Sequence, residues 1–291
     1  MKKQIYTLIS TMLLVVFVAS PAYASTFESN EANINTVQEL HESIVTNNLA
    51  SLNEEGKLLI DERAIELNVD EGIYNEYVND LVSLNKGIEE GLMYFDSNLQ
   101  IKMYSPEVIE DMVYEESLKN PEERFIDESD FGLVSPMAIP DGPPAINVKS
   151  LVVKNRAEAE DIYSMMKTNE KYGGGNAFSG TVGWWVGKVK PGGVWDYKVV
   201  SGYSPWSKEW YGTFFNNSKS YINSAYIGNY NYGYTGEMLF TKQALLAAGD
   251  GVSIITTFMD NIQKGKFKAS LDGEDDKIPV RKGFDDAVSY N

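Results

Sequence analysis

Apolar side chains recur at helical spacing along much of the first half of the chain, which predicts amphipathic helices. The first begins at the capping box Thr36-Val37-Gln38-Glu39, and its apolar positions are Ile34, Val37, Leu40 and Ile44. Two more are predicted over residues 53–67 and from Asp70 onward, and Ser105-Pro106-Glu107 supplies the cap and first-turn proline of a fourth. Between these helices, residues 92–103 predict a short hairpin.

The second half of the chain shows a different pattern. Residues 154–172 predict an amphipathic helix that Gly173 ends, Thr241 caps another, and residues 276–290 predict a third. In between, residues 177–234 are rich in Gly, Asn and aromatic side chains and have few apolar runs, which predicts loops and short elements. The whole pattern therefore predicts a mostly α fold, with α+β as the alternative.

The N-terminus has the pattern of an export signal. Lys2 and Lys3 precede an apolar run from Ile5 to Val18, and Pro21-Ala22-Tyr23-Ala24 offers an A-x-A cleavage site. We expect residues 1–24 to be removed, which makes the mature protein secreted and leaves it without a transmembrane segment. An uncleaved membrane anchor is the alternative, although the apolar run is short for a span.

Charge and proline divide the mature chain. Residues 25–150 carry 27 acidic and 7 basic side chains, a net charge of −20, whereas residues 151–291 carry 15 and 16, a net charge of +1. All five Trp lie in the second half, and four of the ten Pro lie within residues 135–144. The predicted parts are an acidic helical region, residues 25–132; a Pro-rich linker, residues 133–145; and a compact, mainly helical and loop-rich domain, residues 146–291.

The residue counts exclude several kinds of chemistry. With no Cys, the chain has neither a disulfide framework nor a thiolate metal site. The single His, His41, cannot form the pair of histidines that many RNases use, and we expect it half-exposed on the first helix. The total charge of −17 argues against nucleic-acid binding by the whole surface, but that acidity belongs to the first half.

The first candidate for chemistry is Trp195-Asp196-Tyr197-Lys198, which follows Pro191-Gly192-Gly193. An acid and an amine two residues apart between aromatic rings could position a ligand or shift each other's pKa. An ordinary strand with alternating faces accounts for the same spacing.

The second candidate runs from Gly228 to Gly236. Its three glycines permit close approach of the backbone, its two Asn offer donors and acceptors, and its three Tyr offer stacking faces. A turn-rich structural loop is the alternative. The segment is not a phosphate-binding loop, because no Gly-Lys-Ser/Thr follows it.

The third candidate is the acidic run Asp272-Gly273-Glu274-Asp275-Asp276. Four carboxylates within five residues could bind a hard cation, although the helix-loop-helix Ca²⁺ pattern is not met. Asp275 and Asp276 are also suited to the first turn of a helix, where a negative charge interacts favourably with the helix dipole.

These motifs follow one another in the order found in the bacterial polymorphic toxin type 44 domain, which residues 146–291 resemble. The matching segments are Trp195-Asp196-Tyr197-Lys198, Gly228 to Gly236, Leu245-Leu246-Ala247-Ala248-Gly249, and Asp272 and Asp276 followed by Val280, Gly283 and Phe284. This sequence departs from the family pattern at Tyr234, where a small residue is usual, in the spacing of the acidic segment, and over residues 201–226.

The resemblance implies a mostly helical toxin domain at the C-terminus of a secreted protein, used in interbacterial competition. The activity implied is that of an RNase, and the implied partner is a separately encoded immunity protein. Cleavage of RNA needs a base, a proton donor and a group that stabilises the phosphorane. The candidates in this sequence are Asp196, Asp272 or Asp276 as the base, Lys198 as the charge stabiliser, and Tyr232 or Tyr197 as the proton donor.

Substrate contacts are expected from the same motifs. Asn229 and Asn231 are candidates for orienting the RNA, and the remaining candidates for binding it are Trp195, Tyr197, Gly228, Gly233 and Thr235. No organic cofactor is expected. A divalent metal ion held by Asp272 and Asp276 is the alternative route to hydrolysis.

Two other functions fit the same sequence. An exported domain rich in Trp and Tyr with scattered carboxylates is typical of proteins that hydrolyse or bind cell-wall glycans. A non-catalytic adhesion or structural module is the third interpretation. The acidic region could cover a positive groove of the toxin-like domain before release, or it could be an independent, solvated helical domain.

Overall fold

The computed structural model describes residues 34–119, 142–248 and 274–290. The predicted signal peptide, most of the Pro-rich linker and Asp272 lie outside these described residues. The described residues form two compact units: the first comprises residues 34–89 and 95–100, and the second comprises residues 90–94, 101–119, 142–248 and 274–290. Helix dominates the described residues and the sheets are small, which confirms the prediction of a mostly α fold.

The described part of the first unit contains two α-helices and a hairpin. Its elements in chain order are α1 (Val37–Thr46), β1 (Ala50–Leu52), β2 (Leu58–Ile60), a 3-10 helix (Glu62–Glu66) and α2 (Glu71–Glu89). Thr36 caps α1 as predicted, since its hydroxyl accepts a hydrogen bond from the backbone N–H of Glu39. The buried residues of α2 are Tyr77, Leu81, Leu84 and Gly87.

The prediction of a helix over residues 53–67 is wrong, because β1 and β2 form an antiparallel hairpin whose turn begins at Asn53. The side chain of Asn53 accepts hydrogen bonds from the backbone N–H groups of Glu55 and Lys57, and Gly56 adopts a φ of 75°. The Asn53 side chain satisfies the backbone N–H groups of the turn, and Gly56 adopts a left-handed conformation that a helix excludes. Together these two residues favour a turn over a helix.

The hairpin predicted over residues 92–103 is confirmed. It consists of β3 (Met93–Phe95) and β4 (Ile101–Met103). The carboxylate of Asp96 accepts hydrogen bonds from the backbone N–H groups of Asn98 and Gln100, which closes the turn.

The second unit contains the remaining helices and a three-stranded sheet. Its further elements are α3 (Pro106–Lys119), β5 (Ala145–Asn147), α4 (Val148–Lys171), α5 (Ala177–Val189), β6 (Glu209–Thr213), β7 (Lys219–Asn223), α6 (Ser224–Gly236), α7 (Lys242–Ala248) and α8 (Glu274–Tyr290). The strand order is β5-β6-β7, with β5 parallel and β7 antiparallel to the central β6. The sheet, α4 and α6 share one aromatic-rich core that includes Trp210, Phe214, Tyr230 and Tyr234.

The prediction of loops and short elements over residues 177–234 is wrong for α5 and α6, which are helices of 13 residues each, whereas residues 190–208 form loops and turns and β6 and β7 are short strands. Two glycines of α5 are helix-contact positions, whereas Gly192 and Gly202 lie in turns with φ values of 85° and 82°. A Cβ at Gly183 would lie 2.4 Å from the carbonyl oxygen of Pro106, and one at Gly187 would lie 2.8 Å from that of Glu110. Both partners lie on α3, so α5 packs closely against a helix that the charge pattern assigns to the acidic region. The second unit thus includes part of that region.

Candidate functional site

The glycine motif from Gly228 to Gly236 lies on α6, which is one of the most buried helices described in the second unit. A Cβ at Gly233 would lie 2.1 Å from the carbonyl oxygen of Val280, and one at Gly283 would lie 2.1 Å from that of Tyr230. Only hydrogen atoms in place of side chains permit this contact between the backbones of α6 and α8. The interpretation of this motif as a turn-rich loop is therefore wrong, and its glycines bring α8 against α6.

The polar side chains of the motif form a buried network. The side-chain amide of Asn155 on α4 donates to the hydroxyl of Tyr197 and to the side-chain oxygen of Asn231, both at 2.8 Å. The Asn231 side-chain nitrogen is buried and has no hydrogen-bond partner in the described structure. The Thr235 hydroxyl donates to the Asn231 carbonyl and accepts from the Trp185 indole. These substrate-binding candidates thus lie in the core.

Tyr232, a candidate proton donor, also lies in the core. Its hydroxyl lies 3.5 Å from the carbonyl oxygen of Leu245, and its ring packs beside that of Trp185 with the centroids 5.0 Å apart. Burial raises its pKa, because ionisation would place a negative charge in an apolar environment. Tyr232 is therefore a packing residue of the core, and its hydroxyl stays protonated at neutral pH.

The segment Trp195-Asp196-Tyr197-Lys198 forms turns, so the alternative interpretation as a strand is wrong. The Asp196 carboxylate accepts hydrogen bonds from the backbone N–H groups of Gly192, at 2.9 Å, and Lys198, at 3.3 Å. Trp195 is buried edge-to-face against Trp184 with the ring centroids 5.4 Å apart. Asp196 therefore closes a loop, while Lys198 is exposed to solvent.

Asn229 and Asp276 are the predicted site residues that the structure pairs on the surface. The Asn229 side chain donates a hydrogen bond of 2.9 Å to the Asp276 carboxylate and so joins α6 to α8. Among the residues that the structure describes, no three His, Asp or Glu side chains are grouped to hold a metal ion. Asp272, the other predicted metal ligand, lies outside the described residues.

A further cluster of polar and aromatic side chains lies where α6 meets α8. The hydroxyl of Tyr230 donates to Oδ2 of Asp286 at 2.5 Å, and Nζ of Lys282 donates to the same oxygen at 2.8 Å. The side chain of Asp286 retains 15 % of its exposure and that of Lys282 retains 42 %, so solvent reaches both. Tyr226, one helical turn before Tyr230, is half-buried. We call Tyr226, Tyr230, Lys282 and Asp286 together the reactive cluster.

The surroundings of the reactive cluster are aromatic. The ring of Phe214 lies edge-to-face against those of Tyr226 and Tyr230, with centroids 6.0 and 5.2 Å apart, and Lys282 lies over the same ring at 5.7 Å. Burial first, and the negative charge of Asp286 second, raise the pKa of Tyr226. Burial followed by the hydrogen bond to Asp286 raises the pKa of Tyr230. Both tyrosines are therefore protonated at neutral pH.

The spacing of these residues contains a signal for the cluster. Tyr226 and Tyr230 are four residues apart, as are Lys282 and Asp286, so each pair lies on one face of a helix. The signal is meaningful only when residues 224–236 are known to be helical. The structure therefore brings together Asn229 with Asp276 and Tyr197 with Asn231, but places Asp196, Lys198 and Tyr232 in other surroundings.

Neither family models, curated proteins nor solved structures match this chain. No helix within the described ranges is both long enough and apolar enough to cross a membrane.

Proposed function

We propose that the second unit is an RNA-cleaving toxin domain of a secreted protein, and that the reactive cluster of Tyr226, Tyr230, Lys282 and Asp286 is its active centre. One observation supports this proposal most strongly. A single carboxylate oxygen of Asp286, whose side chain keeps 15 % of its exposure, is held by a tyrosine hydroxyl and a lysine ammonium group. The cluster combines a base, a cation and protonated hydroxyl groups, which are the groups that RNA cleavage requires without histidine.

Each side chain has a distinct role in this proposal. Asp286 removes the proton of the ribose 2′-hydroxyl, whose oxygen then attacks the adjacent phosphorus. Lys282 stabilises the negative charge of the phosphorane. Tyr226 donates its proton to the departing 5′-oxygen as the P–O bond breaks. The products are a 2′,3′-cyclic phosphate and a free 5′-hydroxyl, and the reaction needs no water or metal ion up to that point.

Tyr230 acts as a positioning residue, because it is fully buried and cannot reach a substrate. Its hydroxyl fixes the orientation of the Asp286 carboxylate from the core side. The glycine contacts of Gly233 and Gly283 fix the separation of α6 and α8, and with it the distance between Tyr226 and Asp286. The predicted motif residues thus support the centre rather than form it.

The biological setting belongs to the same proposal. The export signal predicted at residues 1–24 would deliver the protein outside the producing cell. A separately encoded immunity protein would then protect that cell and its relatives. A partner that covers the exposed Asn229–Asp276 pair and the neighbouring reactive cluster would block RNA without entering the core.

The test is cleavage of a fluorogenic RNA by the mature chain carrying Asp286→Asn. We expect the rate to fall by about 10²–10⁴-fold, since a general base contributes that much. The matched control is Asp285→Asn, which changes the preceding residue of the same helix, where the carboxylate is exposed and paired with Lys242. It should leave the rate within about twofold.

Product analysis separates this proposal from the glycan alternative. The wild-type chain should convert RNA to products ending in a 2′,3′-cyclic phosphate and release nothing from purified peptidoglycan. Muropeptide release without RNA cleavage, or equal rates for the Asp286→Asn and Asp285→Asn variants, would contradict the proposed centre.

A further inference from the structure

The Asn229–Asp276 pair on the surface presents an incomplete set of hydrogen bonds. The side-chain nitrogen of Asn229 uses one of its two hydrogens to bond Oδ1 of Asp276 at 2.9 Å. Among the described residues, no group bonds the second hydrogen of this amide or Oδ2 of Asp276. Asp276 is exposed to solvent and Asn229 is half-buried. The pair therefore offers one donor beside a carboxylate with two accepting oxygens.

This order of donor and acceptors is complementary to guanine. The Watson–Crick edge of guanine carries the acceptor O6 next to the donors N1–H and N2–H. The second amide hydrogen of Asn229 matches O6, and the Asp276 carboxylate matches the two donors. Adenine, cytosine and uracil each place an acceptor where guanine has one of these donors. An acceptor that faces a carboxylate is left without a hydrogen bond, so the pair discriminates against these three bases.

The charge of the pair determines which part of a nucleotide it binds. Asp276 gives the pair one negative charge, which repels a phosphate, whereas a base edge is neutral and supplies the donors that a carboxylate accepts. An arginine side chain of a protein partner also has donors for the carboxylate. Its N–H groups would, however, face the remaining amide hydrogen of Asn229 and leave it unpaired. Guanine satisfies all three groups of the pair.

An exposed tryptophan lies at the same end of α6. Trp206 keeps 61 % of its exposure, and its carbonyl oxygen accepts a hydrogen bond of 3.0 Å from the backbone N–H of Ala225. The carbonyl oxygen of Lys208 accepts another from Ser224, which fixes this loop to the first turn of α6. Ala225 is one helical turn before Asn229 on the same side of the helix. An indole ring held there offers a flat face for a base whose edge meets the pair.

We propose that Asn229, Asp276 and Trp206 form a subsite that selects guanine in the nucleotide following the scissile phosphate. This inference rests on the RNA cleavage proposed above. Asn229 lies three residues after Tyr226 on α6, so their side chains are neighbours on the helix surface. Tyr226 protonates the departing 5′-oxygen, and the base of the nucleotide that carries this oxygen lies next to the pair. Asp276 precedes Asp286 by ten residues, or about 15 Å along α8, so it takes no part in the proton transfer.

The first test uses four oligonucleotides that each contain a single ribose, at a uridine, so that only one bond can be cleaved. The nucleotide after this uridine is deoxyguanosine, deoxyadenosine, deoxycytidine or deoxyinosine. For the mature wild-type chain, kcat/KM with guanine should exceed that with adenine or cytosine by about 5-fold to 150-fold, the range that one bidentate contact provides. Inosine lacks only the N2 amino group and should give an intermediate value. Equal values for all four substrates would contradict the subsite.

Substitutions test whether the pair makes the selection. Asp276→Asn replaces one accepting oxygen with a donor and should reduce the preference for guanine over adenine to within about threefold. The matched control is Asp275→Asn, which changes the preceding exposed carboxylate of α8 and should keep the wild-type preference. Asn229→Ala removes the donor to O6 and should also lower the preference. A preference for guanine that survives Asp276→Asn would overturn the assignment.

The ring of Trp206 is tested separately from the edge of the base. Trp206→Ala should raise KM for all four oligonucleotides by about 5-fold to 150-fold, because stacking does not depend on the identity of the base. Tyr221→Ala, which removes a ring of similar exposure from β7, is the control and should leave KM unchanged. A wild-type KM in the Trp206→Ala variant would remove Trp206 from the subsite.

Binding of 5′-GMP distinguishes failure of this inference from failure of the proposed function. The full mature chain should bind 5′-GMP more tightly than 5′-AMP, and Asp276→Asn should abolish the difference. Such binding without cleavage of RNA by the wild type would support the subsite and contradict the centre. Cleavage without a preference for guanine would contradict the subsite and leave the centre standing. Binding of an arginine-containing peptide in place of 5′-GMP, lost in Asp276→Asn, would assign the pair to a protein partner and overturn the subsite.

Discussion

His41 illustrates how burial decides the state of a single residue. The prediction that it lies half-exposed is wrong, since only 6 % of its surface is accessible. One ring nitrogen donates to the carbonyl oxygen of Leu99 at 3.0 Å, and the other lies 2.9 Å from the hydroxyl of Tyr77, from which it accepts when the ring is neutral. Burial favours this neutral form of the ring. Burial is the main reason that its pKa lies below the ordinary value.

We therefore predict that the first unit loses stability in mild acid. The unfolded chain binds a proton at His41 near pH 6.5 while the folded unit does not, so stability is complete above that pH and falls as the pH drops toward the lowered pKa. Hydrogen exchange of α1 and α2 amides, corrected for intrinsic rates, measures the effect between about pH 8 and pH 5. A His41→Gln variant should show a flatter dependence. The same slope in both chains would assign the effect to other groups.

The two asparagines of α6 should differ in their effect on stability. Asn231→Ala leaves the buried amide of Asn155 with one acceptor fewer, and we expect it to lower the free energy of unfolding by about 1–3 kcal/mol. Asn229→Ala removes only a surface hydrogen bond to Asp276 and should change it by less than about 0.5 kcal/mol.

Urea unfolding followed by Trp fluorescence measures the free energy of unfolding of these two variants, because all five Trp lie in the second unit. The two variants share residue type, helix and substitution, so helix propensity contributes equally to both. Equal losses of stability would mean that the buried network contributes no more than the surface contact.

At the scale of elements, the glycines of α6 allow a second matched comparison. A Cβ at Gly228 would meet its nearest atom, the backbone nitrogen of Tyr197, at an ordinary 3.7 Å, whereas one at Gly233 would overlap α8. Gly228→Ala should raise the free energy of unfolding by about 0.5–1 kcal/mol through helix propensity. Gly233→Ala should lower it by about 3 kcal/mol, because α8 must move away.

Thermal unfolding of the two alanine variants checks this prediction, and cleavage of RNA adds a second measurement. Gly233→Ala should also impair the proposed centre, since it separates Tyr226 from Asp286, while Gly228→Ala should remain active. A Gly233→Ala protein with wild-type stability would mean that the α6–α8 contact is looser than the structure describes.

The same elements show what could be predicted from sequence. The caps at Thr36 and Ser105 and the turn at Asp96 depend on residues within a few positions, so they could be predicted locally. The contacts of Gly183, Gly187 and Gly233 could not, because their partners lie on α3 and α8, far along the chain. A segment rich in Gly and Asn predicts a loop when its neighbours are unknown, and the reactive cluster could not be predicted for that reason.

At the scale of the whole molecule, the division into units changes which fragment should fold. The resemblance to a toxin domain covers residues 146–291, whereas the second unit begins at Glu90 and includes α3. Removing α3 would expose the α5 surface around Gly183 and Gly187 and discard the buried Ile109. It would also remove Glu110, which forms a 3.0 Å ion pair with Lys190.

We predict that a fragment of residues 90–291 folds and that one of residues 146–291 is less stable. A loss of about 3 kcal/mol from the missing packing against α3 would lower the unfolding midpoint by roughly 6–12 °C. Calorimetry of the two fragments measures this difference, and the full mature chain is the reference. Equal midpoints would show that α3 adds little to the unit.

The direct passage from β7 into α6 has a mechanical consequence. Asn223 ends the strand and Ser224 begins the helix, so no loop residue remains between them to serve as a hinge. A displacement of β7 would consequently be transmitted to the first turn of α6, where Tyr226 lies, so the position of this tyrosine is set by the sheet.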